Sequence, residues 1–190
     1  EILAELPERK VEKWRELPKG FLPVGALATS PDGTKLAVGR GKAVELFGLS
    51  EKDTNASGIW EGHHDEVRSL AWNQNGELLA SGGFGRVLVR EAKDGKLLRK
   101  LDDGLSGRIT GLTFAGKEGE WLVVADGEPT VSGRLVIFNT KTWKRTDTIR
   151  AHGDSIYGLT TSPDGKLVAT ASADKLAKLW ESGSWKPKGS

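Results

Sequence analysis

An all-β fold made of four copies of one small antiparallel sheet is what this sequence predicts, and three observations carry the prediction. Turn glycines recur at a near-constant interval: Gly33, Gly76, Gly119 and Gly165 are separated by 43, 43 and 46 residues. A period of that length marks an array of like units. Each of these glycines sits between two short runs rich in Val, Ile, Leu, Ala, Thr or Phe, bounded by Gly, Asn, Asp and Ser, which is the pattern of strands joined by tight turns. With 25 glycines among 190 residues, the chain is also supplied with turn formers throughout.

The fourth unit, 151–190, is the clearest. Strands are predicted over 156–161, 166–172 and 176–180, with Ser162-Pro163-Asp164-Gly165 turning between the first two. Ile156, Leu159, Leu167, Val168, Ala177 and Leu179 fall on both faces of these strands, as expected of a sheet sandwiched between neighbours. His152 precedes the first strand, Asp174 begins the next turn, and Trp180-Glu181 closes the third strand. With that punctuation the stretch resembles one WD repeat, the unit that forms one blade of a β-propeller.

The resemblance implies a buried hydrogen-bond chain through His152, Thr170, Asp174 and Trp180. The chemistry is self-consistent, because indole only donates, carboxylate only accepts, and hydroxyl and imidazole do both. Glu181 stands where the family has Asp.

The other units follow the same frame with losses. A leader, 1–19, includes a segment, 11–17, expected to be an outer blade strand. The first blade, 20–61, has strands at 24–28, 35–39 and 43–47, with Phe47 in the Trp position and a Ser/Asp/Asn-rich loop over 50–57. The second, 62–103, opens on Gly62-His63-His64-Asp65, with strands at 67–72, 77–81, 87–90 and 96–101. There His63 and Ser81 match the buried chain, but Gly85 occupies the Asp position and Arg90-Glu91 the Trp-Asp pair, so the chain is expected to be incomplete. The third, 104–150, has Leu105 in place of His and Phe138-Asn139 in place of Trp-Asp, with strands at 109–114, 120–125, 133–138 and 145–149. Its loop over 126–132 reads as longer than its equivalents. After the fourth blade Pro187 is expected to leave a gap in any outer strand begun by Trp185.

One continuous domain is therefore expected: a β-propeller of WD-repeat type with about four four-stranded antiparallel blades, arranged as a partial ring or half-propeller. Four is the low end of the range for propellers, and an open stack exposes apolar end faces. The expected partners for those faces are a second copy completing the ring as a homodimer or the remainder of a longer chain.

Several chemistries find no support. Lys+Arg minus Asp+Glu is 28 minus 26, or +2, too balanced to point to nucleic acid or an anionic membrane. Cysteine is absent, which removes thiol nucleophiles and thiolate metal sites. His63 and His64 are adjacent on an extended segment and point opposite ways, so no metal is expected. Segment 111–118 superficially fits a phosphate-binding loop, but Glu118 stands where the Mg-holding hydroxyl belongs and no helix follows. A cationic cluster, Arg86, Arg90, Lys93, Lys96, Arg99 and Lys100, reads as a charge-guarded outer edge. No catalytic residue and no cofactor is expected.

Propellers of this kind generally present protein- or peptide-binding surfaces, so the resemblance implies a non-catalytic interaction scaffold with a protein or peptide partner. On the face made by the loops entering each inner strand and joining the middle two, the candidate contacts are His64, Glu66, Arg68, Phe84, Arg108, Ser155 and Tyr157. A second reading comes from 14–33, WRELPKGFLPVGALATSPDG, which is similar to bacterial propellers that follow a haem-c domain. It implies a docking or regulatory module of a larger redox protein, although the Cys-x-x-Cys-His that attaches haem is missing.

Overall fold

The computed structural model describes residues 22–49 and 56–189. The expected strand over 11–17, most of the 50–57 loop and the first part of the haem-associated segment lie outside the described residues.

Sixteen strands form four antiparallel sheets of four among the described residues. Blade one contains β1 (Val24–Thr29), β2 (Lys35–Arg40), β3 (Ala43–Gly48) and β4 (Ala56–Trp60). Blade two contains β5 (Ser69–Trp72), β6 (Leu78–Gly82), β7 (Val87–Glu91) and β8 (Leu97–Leu101). Blade three contains β9 (Gly111–Ala115), β10 (Trp121–Glu128), β11 (Ser132–Asn139) and β12 (Arg145–His152). Blade four contains β13 (Ile156–Thr161), β14 (Leu167–Ser172), β15 (Ala177–Glu181) and β16 (Pro187–Gly189). In each sheet the strands lie in chain order.

The four periodic glycines do the same job in every blade. Gly33, Gly76, Gly119 and Gly165 have φ of 70°, 72°, 71° and 73°, the left-handed region open to glycine at little cost. Around two of these turns a serine and an aspartate fold back on the backbone. Ser30 Oγ donates to Asp32 Oδ1 at 2.5 Å, and Ser162 Oγ to Asp164 Oδ1 at 2.7 Å. That hydroxyl, with the Thr34 backbone and side chain, holds the Asp32 carboxyl down at about 2.

The blades stack through their innermost strands, β1 on β5, β5 on β9 and β9 on β13, and β13 makes no comparable contact with β1. The described residues thus form an arc. Period-2 alternation explains why the middle strands are apolar throughout. On β10, Leu122 and Val124 face blade two, in a cluster with Val87 and Val89, while Val123 and Ala125 face blade four with Ile156, Val168 and Trp180. Each fully buried valine, leucine or isoleucine among them contributes about 1.5–3 kcal/mol. The far face of blade four shows what an uncovered side looks like: Ala171, Ala177 and Leu179 are exposed.

Three sequence expectations are corrected. The segment 126–132 is not a long loop: β10 and β11 continue through it as a hairpin, pairing Asp126 with Arg134, Gly127 with Gly133 and Glu128 with Ser132. Blade four has its own outer strand despite Pro187, which is the first residue of β16 and so breaks no ladder. Trp185 does not begin that strand. It occupies a left-handed turn position (φ 54°), buried against Trp121 with ring centroids 6.0 Å apart. Gly95 and Trp143 take the equivalent position in blades two and three, each with its backbone N–H bonded to the carbonyl four residues earlier. Inner strands β5 and β9 also start two residues later than expected, because Val67 and Ile109 bond instead to Gly41 and Gly83 of the preceding blade.

Candidate functional site

Blades two, three and four secure the buried polar groups at their ends differently, and these fastenings position the exposed face. In blade four, Trp180 Nε1 donates to Thr170 Oγ1 at 3.0 Å, Thr170 Oγ1 lies 2.8 Å from His152 Nε2, and His152 Nδ1 lies 2.9 Å from Asp174 Oδ2. The indole can only donate and the carboxylate only accept, which assigns the proton to Nδ1 and makes Nε2 the acceptor of the threonine hydroxyl. Burial raises the Asp174 carboxyl. The backbone N–H groups of Gly153 and Leu176 and the His152 ring outweigh that and hold it at about 2.

In blade two only part of this exists. His63 Nε2 is 2.8 Å from Ser81 Oγ, but no carboxylate among the described residues completes the chain. The turn after β6 is one residue shorter than its counterpart. Ser81 pairs with Leu88, seven residues on, where Thr170 pairs with Lys178, eight residues on. Gly85 (φ 59°) therefore corresponds to Lys175 (φ 72°), not to Asp174 as the linear spacing suggests. Arg90 reaches outward, its guanidinium donating to the carbonyls of Gly95 and Glu61.

Burial, then the charges of Arg90, Arg86 and His64, lower the His63 pKa to about 4. An unfolded histidine titrates near 6.5, so the unfolded chain takes up the proton first on acidification. The contribution is fully present above about pH 6.5 and drains away down to about pH 4, totalling roughly 3 kcal/mol. Urea unfolding at pH 7 and pH 4.5 should show the parent losing roughly 2 kcal/mol more than His63→Gln across that interval.

Blade three uses a fastening that the sequence did not disclose. Asp126, with its side chain 0% exposed, accepts from Arg134 Nε at 3.0 Å and Nη2 at 2.5 Å, and from the Ser106 backbone N–H at 3.1 Å. Arg134 also donates to Ser106 Oγ and the Gly104 carbonyl. This cross-strand pair ties the hairpin base to the segment that enters β9. At the hairpin tip the Thr130 N–H donates to Asp154 Oδ1 at 2.7 Å and Arg150 donates to the Val131 carbonyl at 3.1 Å.

The candidate contact residues divide into two places. Phe84, Arg108, Ser155 and Tyr157 line one groove of about 590 Å³ together with Thr110, Glu128 and Pro129. Phe84 is 58% exposed and Tyr157 73%. Phe84 and Arg108 sit opposite each other in an isolated antiparallel bridge. Ser155 is largely buried and its carbonyl bonds Ala173, so it belongs to the floor. Gly107 lets the segment entering β9 approach the hairpin backbone closely: a Cβ there would lie 2.4 Å from the Gly127 carbonyl oxygen. Glu66 lines a separate groove beside His63, between blades one and two, and is ion-paired with the exposed Arg68; His64 is exposed and lines neither groove.

At least half of the cationic cluster is engaged locally. Lys93 pairs with Glu91 at 2.7 Å and Lys100 with Asp102 at 3.4 Å, while Arg90 is engaged as described. Among the described residues no group of three or more His, Cys, Asp or Glu converges as for a metal, and no helix is long and apolar enough to cross a membrane.

The profile of the WD domain, G-beta repeat, matches residues 55–89 and 143–181, spanning both segments that carry the histidine–hydroxyl contacts of blades two and four. These two stretches of the chain carry the WD repeat, on a β-propeller fold of four blades. Among curated WD-repeat relatives, the WD repeat-containing protein 3 homolog of Dictyostelium discoideum is 28% identical over 74% of this chain and 15% of its own length. U3 small nucleolar RNA-associated protein 12 of Saccharomyces cerevisiae is 31% identical over 64% of the chain and 12% of its own. The chain thus spans less than a fifth of either relative. A crystal structure of RRP9 WD40 repeats superposes with a TM-score of 0.78 at 19% identity, covering 92% of this chain and 53% of that one, which shows the shared blade architecture.

Proposed function

We propose that this WD-repeat chain is a non-catalytic docking scaffold whose partner is a protein or peptide, held on the face that carries Phe84, Arg108 and Tyr157. The observation behind this reading is the contrast within that groove between open side chains and a fixed frame. Two largely exposed aromatic rings stand beside backbone that is tied down, the Phe84 turn by the Gly85 N–H to the Gly107 carbonyl and the Ile109 N–H to the Gly83 carbonyl, and the start of the Tyr157 strand by the Asp154 latch and the Ala173 N–H to the Ser155 carbonyl. Rigid, exposed aromatics offer contact area at low entropic cost, and Tyr and Arg are enriched where binding energy concentrates. One of the similar proteins is named for association with a small nucleolar RNA and spans far more sequence than this chain, which fits a module working inside an assembly.

Replacing Phe84 and Tyr157 together by alanine should abolish capture of the chain's protein partners in quantitative affinity purification. The thermal midpoint should be unchanged, since both side chains are exposed. Undiminished capture would remove this face from consideration.

A further inference from the structure

Within that docking reading, on which it rests, we infer that the Phe84–Arg108–Tyr157 groove selects an extended peptide segment with a single carboxylate side chain next to an apolar one. Charge decides the chemistry. Among the described residues Arg108 is the one Lys or Arg that lines the groove; of its neighbours, Arg68 is held by Glu66, Arg134 by Asp126 and Arg150 by the Val131 carbonyl. Arg108 is exposed and has no acceptor for its guanidinium among the described residues. A planar fork of N–H donors fits a carboxylate in two parallel bonds. Phe84, directly across the bridge from Arg108, and Tyr157 on the next wall supply the apolar contact on either side.

The groove also restricts the residues flanking the acid. Glu128 lines the same space with no cation paired to it among the described residues, so a second acidic residue there meets a like charge and a basic one meets an opposite charge. One free cation beside one free anion is a poor match for a nucleic-acid backbone, which is gripped by neutralising many phosphates. The volume, about 590 Å³, falls within the range of built ligand sites. The hairpin wall is fixed at base and tip before any ligand arrives, so little ordering cost attends binding.

Panning a phage-displayed library of random peptides, each about a dozen residues long, against the chain tests this. An enriched peptide is then titrated by fluorescence anisotropy. Enriched sequences should carry one Asp or Glu beside Leu, Ile, Val or Phe. Converting that acid to its amide, or Arg108→Ala, should weaken binding about tenfold or more, and Glu128→Gln should admit peptides with two acids. Arg108→Ala should leave the melting curve in place. Peptides that tolerate Arg108→Ala but are lost with Tyr157→Ala would overturn the acidic preference and leave the docking face standing. No enrichment, or binding indifferent to both variants, would overturn both.

Discussion

Arg134→Leu should cost about 3 kcal/mol of folding stability, far more than loss of any exposed ion pair on this chain. The leucine itself is not the problem, because Arg134 lies at the rim with its side chain 25% exposed. The cost is borne by Asp126, whose carboxylate would stay fully buried with only the Ser106 N–H still donating to it among the described residues. A buried charge stripped of its counter-ion is penalised by several kcal/mol, whereas removing both charges together is often nearly neutral. Denaturant unfolding should therefore show Arg134→Leu strongly destabilised and the double variant Asp126→Leu with Arg134→Leu recovering a good part of the loss. Equal stability of Arg134→Leu and the parent would mean that this pair does not fasten blade three.

Trp180→Ala is the second large effect, at about 3–5 kcal/mol. Trp180 is buried between blades three and four among Val123, Ile137 and Val168, and its indole supplies the proton that Thr170 accepts. Trp180→Phe separates the two contributions: it keeps most of the volume and loses the hydrogen bond, so about 1 kcal/mol should be lost. Chemical denaturation of both variants checks the ratio. If Phe cost as much as Ala, the hydrogen-bond chain rather than the packed ring would hold the blade end.

The repeat was legible because it is written locally. A left-handed turn residue between two apolar strands is a requirement of a few adjacent residues, and Gly33, Gly76, Gly119 and Gly165 meet it at nearly the same φ. The apolar alternation of β10 likewise announces a strand buried on both sides. What escaped is long-range or depends on a one-residue change in turn length. Asp126 and Arg134 flank a stretch, Gly-Glu-Pro-Thr-Val-Ser-Gly, whose composition is that of a loop; only cross-strand pairing reveals that the two charges face each other. The alternation Asp126, Glu128 and Ser132, Arg134 is the faint signal of a continuing hairpin. Linear spacing puts Gly85 at the Asp position because it cannot register that the blade-two turn is shorter by one residue.

The face residues were partly legible. Phe84, Arg108, Ser155 and Tyr157 fall at equivalent turn or loop-to-strand positions in successive blades, and equivalent positions converge around a shared axis. His64, Glu66 and Arg68 belong to the same kind of position but lie at the neighbouring junction, where Glu66 and Arg68 neutralise each other. Glu128 and Pro129 escape a reading of the sequence because they arrive on the hairpin that looks like a loop.

One physical idea underlies the whole molecule: each sheet is stabilised chiefly by the blades on either side of it. Amide hydrogen exchange followed strand by strand tests that most directly. β10 and β11, covered on both faces, should exchange at the rate of global unfolding, while β14 and β15, with one face open, should exchange at least about tenfold faster. Equal protection in all four strands, or greater protection in β14 and β15, would contradict it.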